Sequence, residues 1–226
     1  MEIQVTGSFP TGVLDYITTL VVVWFSGMNC TRSSQQEKDF VRSLGARMAR
    51  HWGFARVKLA CIPPPRVRQP NGTLVRMWAE YTPQNGETYA GTSNVEGVLD
   101  WMNQTCGVHY RAADTLVARG VMFVFCGISN GCVPAFEFAQ HYATSCHACV
   151  LVNGCPAAST TQRVSTPLPF PTIFFVADGE TYFARGRGEY LSAFALRGAV
   201  IPFRGRHSSL PSVLRTWRAV KSVLIG

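Results

Sequence analysis

Apolar residues recur along the chain in two rhythms, and the alternation between them predicts its elements. Positions 20–25, Leu-Val-Val-Val-Trp-Phe, form an unbroken β-branched and aromatic run. Such a run suits a strand covered on both faces. Further strand-length runs follow at about 56–61, 121–126, 148–152, 172–177 and 199–203. Between them the spacing lengthens to that of a helix. Ser34-Gln35-Gln36-Glu37 has capping-box form, and Phe40, Val41, Leu44 and Met48 continue at helical spacing. Ser93-Asn94-Val95-Glu96 repeats the signal ahead of a stripe of Val95, Val98, Leu99 and Met102. Positions 132–144 read as a helix with Pro134 in its first turn. Leu210, Val213, Leu214, Trp217 and Leu224 mark a last, amphipathic one.

Strands alternating with helices predict the α/β class, with a mostly parallel central sheet flanked by helices on both faces. The chain shows no internal repeat and no domain-splitting linker, so residues 1–226 are expected to form a single domain. Two interruptions stand out. Ser26-Gly27-Met28-Asn29 breaks the first strand where its carboxyl end would meet a site. Positions 63–92 are rich in Pro, Gly, Asn and Thr and read as a long loop, of the kind that is usually functional or mobile.

Composition narrows the class. Hydrophobic residues make up 47% and charged residues 15% of the chain, which describes a globular protein. No apolar run reaches the ~20 residues of a membrane span. The first residues carry Glu2 and no Lys or Arg, so no signal peptide is expected and the cytoplasm is the predicted address. The eight cysteines fit that address as reduced thiols. Cys146-His147-Ala148-Cys149 resembles half a metal motif, but no second pair stands at zinc-finger spacing, and no metal is expected. The formal charge of +8 is compatible with weak attraction to an anionic membrane surface or with a solvated basic surface. Basic and aromatic residues are not interleaved as in an RNA-binding module, so nucleic acid is not expected as a partner.

Candidate chemistry centres on the third strand-like run. It ends in Gly127-Ile128-Ser129-Asn130-Gly131, with a helix to follow. Strand, sharp turn and helix are the context that the G-x-S-x-G nucleophile elbow requires, and Ser129 is the candidate nucleophile. A serine hydroxyl needs a base, and the base needs an orienting carboxylate. In a hydrolase of this type the chain order is serine, acid, histidine. His51 and His109 precede the serine, and His141 and His147 follow too closely to leave room for an acid. His207, between the last strand and the last helix, is therefore the candidate base. Asp178 and Glu180 both follow the 172–177 strand, and either could orient an imidazole. The main-chain amides of Met28 and Asn130 are nominated for the oxyanion hole.

These residues together resemble the carboxylesterase/phospholipase family of the α/β-hydrolase fold, which contains the acyl-protein thioesterases. The resemblance runs over nearly the whole chain from Val21. The family's Leu-His-Gly-Leu-Gly-Asp loop is similar to Phe25-Ser26-Gly27-Met28-Asn29-Cys30, and its Gly-Phe-Ser-Gln-Gly elbow to 127–131. Its histidine segment is similar to Gly205-Arg206-His207-Ser208-Ser209. The family's acid stands nine residues after a strand-leading proline, which from Pro171 falls on Glu180 and favours it over Asp178. The resemblance implies a cofactor-independent serine hydrolase of esters or thioesters. Its substrate would be an acylated small molecule, a lipid or an S-acylated protein. The acyl chain is expected along the proline-bearing loop, near Trp78 and Tyr81. Ser26, Asn29 and Glu180 depart from the family's His, Gly and Asp. Two rivals accompany the reading: a non-catalytic binding protein on this fold, and an acyltransferase.

Overall fold

Both faces of the first long strand are apolar, and the structure buries both. The computed structural model describes residues 2–4, 19–32, 34–69, 71–78, 80–82, 86–88, 120–154, 156, 168–180 and 198–225. Strand β2 (Thr19–Phe25) sends Val21, Val23 and Phe25 into one core and Leu20, Val22 and Trp24 into the other. It lies inside a sheet that, among the described residues, has seven strands in the order β1-β3-β2-β8-β9-β10-β11. The members are β1 (Glu2–Gln4), β3 (Arg56–Ile62), β8 (Val121–Ile128), β9 (Cys146–Val152), β10 (Thr172–Gly179) and β11 (Gly198–Arg206). Every pairing is parallel except that of β1 with β3 at the edge. Six parallel strands thus end on the same side, and their carboxyl ends gather the loops that matter.

Helices cover both faces. Helix α1 (Gln35–Trp52) starts at Ser34, whose hydroxyl accepts from Glu37 N–H while the Glu37 carboxylate accepts from Ser34 N–H. Such caps are worth about 1 kcal/mol. Glu37 is buried and also accepts from the Trp24 indole N–H at 2.8 Å, so the cap is pinned to β2. Phe40, Val41, Leu44 and Met48 then face the sheet at helical spacing. Helix α3 (Val213–Ile225) joins α1 on that face, with Ala219 and Val220 buried and Trp217 against His51 and Trp52. Helix α2 (Cys132–His141) fills the opposite face with Phe136, edge-on to Phe170, and Phe138, stacked towards Phe25, Phe125 and Tyr142. At roughly 1.5–3 kcal/mol per large apolar side chain buried, these two cores dominate stability.

Two expectations shift, and a third falls outside the described residues. The 63–92 segment is not a plain loop: β4 (Arg66–Arg68) pairs with β5 (Leu74–Arg76), and β6 (Glu80–Thr82) with β7 (Gly86–Thr88). The first hairpin turns at Asn71-Gly72, with Gly72 at φ +83 and Asn71 Oδ1 accepting from Thr73 N–H. That dipeptide is a turn signal in its own right, masked here by the surrounding prolines. Helix α2 ends at His141 and is followed by a 3₁₀ turn at Ala143–Ser145. The helix expected after Ser93 lies outside the described residues.

Candidate active site

Ser129 takes the backbone conformation the elbow demands. Its φ is 54, in the left-handed region that a non-glycine residue enters at a cost of roughly 1–3 kcal/mol. The surroundings enforce it. A Cβ on Gly127 would lie 2.2 Å from the Gly131 carbonyl oxygen, and one on Gly131 would lie 2.1 Å from that of Phe25. No side chain fits at either place, so the chain folds back on itself directly between β8 and β2. The Cys132 thiol closes the turn by donating towards Gly127 O and Val152 O.

The loops after β10 and β11 bring two more side chains to the hydroxyl. His207 Nε2 is 2.7 Å from Ser129 Oγ, and His207 Nδ1 is 2.5 Å from Glu180 Oε2. The Glu180 side chain is 1% exposed and that of His207 28%, so the acid is sealed while the imidazole edge meets solvent. A carboxylate can only accept, which places the ring proton on Nδ1 and leaves Nε2 to accept from the serine. Asp178 goes elsewhere: its Oδ1 accepts from Gly205 N–H at 2.8 Å, tying the base loop to the end of β10. Of the two carboxylates, the structure brings Glu180 to His207.

The Gly27–Met28 loop stands beside the serine, where a Cβ on Gly27 would come within 3.4 Å of Ser129 Cβ. The Met28 side chain is 41% exposed, while Asn29, at φ 61, donates its main-chain N–H to Arg76 O of the first hairpin. Asn130 is buried, and its side chain does not face outward: Oδ1 accepts from Trp78 N–H.

Solved structures share the architecture of the chain. SOBER1 from Arabidopsis thaliana superposes with a TM-score of 0.60 at 14% identity, covering 92% of this chain and 100% of its own. Acyl-protein thioesterase 2 from Zea mays reaches 0.52 at 14% identity over 99% of both chains. A carboxylesterase from Mesorhizobium loti reaches 0.51 at 12% identity over 91% of this chain and 86% of its own.

The chain has the α/β-hydrolase fold.

No protein-family model and no curated protein sequence matches it. Within the α/β-hydrolase fold, Ser129, His207 and Glu180 occupy the ends of β8, β11 and β10, the chain order anticipated from sequence. Trp78 packs inside the protein. It is 5% exposed in the core, edge-on to Phe25 at 5.5 Å, and its indole N–H donates to Ser26 O at 2.9 Å. Its described contacts brace the loop beside Ser129. Tyr81 is on β6, opposite Glu87 of β7.

Burial acts on several of the described thiols. It pushes the Cys61 thiol up to about 11 and those of Cys126, Cys146 and Cys149 further. Among the described residues, no three His, Cys, Asp or Glu side chains could hold a metal ion, and no helix is long and apolar enough to cross a membrane. Sequence reasoning missed one residue at the site. Asn153, just past β9, is buried and bonds to the loop of His207. The Asn153-Gly154 dipeptide reads as an ordinary turn, which hid it.

Proposed function

We propose that this single-domain protein is a serine hydrolase of carboxylic esters or thioesters that works through an acyl-enzyme. One observation carries the reading: an unbroken hydrogen-bonded path from buried Glu180 through His207 to Ser129, with Ser129 held on a strained elbow. Ser129 Oγ attacks the acyl carbon as its proton passes to His207 Nε2. The imidazolium formed is stabilised by Glu180, and its proton leaves with the alcohol or thiol product. Water then repeats the sequence on the acyl-serine, returning the proton to Ser129. The Met28 and Asn130 main-chain amides, flanking the serine, bind the oxyanion of both tetrahedral intermediates. One such donor is worth ~10²–10³ in rate. Every proton has a donor and an acceptor among these residues, so no cofactor step is written.

Substrates of the class would be acylated small molecules, lipids or S-acylated proteins. The names of the thioesterase and carboxylesterase neighbours agree with that range. Among the described residues no two cysteines are joined, which suits a reducing compartment, the cytoplasm. The test is labelling by a fluorophosphonate probe followed by hydrolysis of p-nitrophenyl esters and acyl thioesters of increasing chain length. Wild type is expected to label and turn over, and Ser129→Ala to do neither while still folded. Folded wild type that neither labels nor hydrolyses would leave the non-catalytic rival standing.

A further inference from the structure

The turn after β9 supplies no reacting group, yet it touches the segments that carry Ser129, Glu180 and His207. Asn153 sits at φ 47, a left-handed conformation that asparagine tolerates better than most residues. Its main-chain N–H donates to Phe175 O of β10 at 2.8 Å. Its side chain is 1% exposed, and both ends of the amide are engaged. Oδ1 accepts from Ala177 N–H at 2.7 Å. Nδ2 lies 2.8 Å from His207 O and 3.2 Å from both Arg206 O and Ser209 O. Only one orientation of the amide satisfies this set, because Ala177 offers a donor and the loop offers only carbonyls. The neighbouring Gly154 presses on the elbow, where a Cβ would lie 2.2 Å from Ser129 O.

We propose that Asn153 is a positioning residue for the reaction: its amide sets the His207 main chain at the height from which the imidazole reaches Glu180 and Ser129 together. The inference rests on the reading of those three residues as the catalytic set. Its physical basis is that one buried side chain references both partners of the imidazole. Ala177, whose N–H it holds, accepts in turn from Glu180 N–H at 3.1 Å, so the acid's turn and the base's loop hang from the same amide. The converging carbonyls of Arg206, His207 and Ser209 would repel one another and drift apart without a donor between them. A further tie, from Asp178 to Gly205 N–H, is solvent-exposed and correspondingly weak, and the β10–β11 ladder, which reaches Gly179 opposite Arg206, fixes the strands rather than the loop beyond them. Misplacement by about 1 Å at a reacting group costs on the order of 10²-fold in rate.

Two variants isolate the side chain. Asn153→Gly keeps the left-handed backbone and removes the amide. Asn153→Asp keeps the shape and the acceptor for Ala177 but replaces the donors with an oxygen that faces three carbonyls. Kinetics on p-nitrophenyl butyrate, thermal melting, and imidazole ¹⁵N shifts of His207, assigned by their loss in His207→Gln, are measured together. Wild type is expected to show the Nδ1–H tautomer that the Glu180 contact imposes. In both variants kcat should fall about 10²-fold with KM within about twofold. The His207 shifts should move towards the tautomer mixture of a free imidazole. Wild-type shifts in a folded variant would overturn the proposal, even if activity and melting temperature both fell, because a merely structural residue would leave the ring untouched. Should Asn153→Gly not fold, the isosteric Asn153→Asp decides on the same readouts. Failure of wild type to label with fluorophosphonate would instead sink the hydrolase reading, and the ¹⁵N shifts would still test the positioning.

Discussion

Strand β9 begins at Cys146 and ends at Val152, and the buried polar groups at its two ends lead different lives. At the carboxyl end Asn153 bonds to Ala177, Arg206, His207 and Ser209, and nearby Asn130 and Glu180 each hold a partner. At the amino end His147 Nε2 and Ser145 Oγ, and opposite mid-strand Cys149 the Thr172 Oγ1, are buried without a hydrogen-bond partner among the described residues. His147 lies edge-on between aromatic rings instead, 4.8 Å from Trp52 and 5.9 Å from Phe54. An unpaired buried polar group costs about 1–3 kcal/mol. The protein accepts that cost where only packing is at stake and avoids it where atoms must hold their place. Substitutions at the site end should therefore change rate with little change in stability, and those at the far end the reverse.

The largest effect is expected from the acid. Glu180→Gln keeps the shape but lets the imidazole adopt the wrong tautomer, and kcat should fall on the order of 10⁴-fold while the melting temperature stays near wild type. Asp178→Asn, which preserves an acceptor for Gly205 N–H, should cost less than about tenfold. If their ranking reversed, the site would have to be rebuilt around Asp178. The far end should answer to acid. Burial lowers the His147 pKa to about 4, so the folded state resists a proton that the unfolded chain takes up near 6.5. Stability from this group is complete above pH 6.5 and is lost as the pH falls towards 4, a change of about 2–3 kcal/mol. Urea unfolding at pH 7 and pH 4 should show that loss in wild type. His147→Phe, which keeps the ring contacts, should lose correspondingly less; an equal loss in both would place the acid sensitivity elsewhere. The smallest effect is the sharpest in sign. Thr172→Val removes an unpartnered hydroxyl at nearly constant shape and should raise the urea midpoint by the equivalent of about 1 kcal/mol with kcat unchanged. A lower midpoint would mean that the hydroxyl has a partner after all.

Much of this layout is legible in the sequence because it is carried by patterns that only one structure satisfies. A fully apolar run such as 20–25 has to be a covered strand, and Ser129 between glycines at such a strand's end has to be an elbow. His207 follows from chain order alone. Composition could not separate Asp178 from Glu180, since both follow the same strand; the difference lies in the continuation of β10 to Gly179, which turns one carboxylate to the base loop's amide and the other to its ring. The bracing contacts of Trp78 were hidden for a general reason. An aromatic residue in a proline-rich segment looks like a ligand contact until its burial and its indole partner are known. Asn153 was invisible because its role depends on carbonyls more than fifty residues away, which no local pattern encodes.

The first hairpin and the loop beside Ser129 are bolted together at two points, Asn29 N–H on Arg76 O and the Trp78 indole on Ser26 O. A third bolt runs from Trp78 N–H to Asn130, inside the elbow itself. Segments 26–30 and 63–78 are thus one part supplied in two pieces. A chimaera that imports either piece alone from another protein of this fold would carry half of a joint, and the loop beside Ser129 would have nothing to register against. Exchanged together, the two should travel as a cassette.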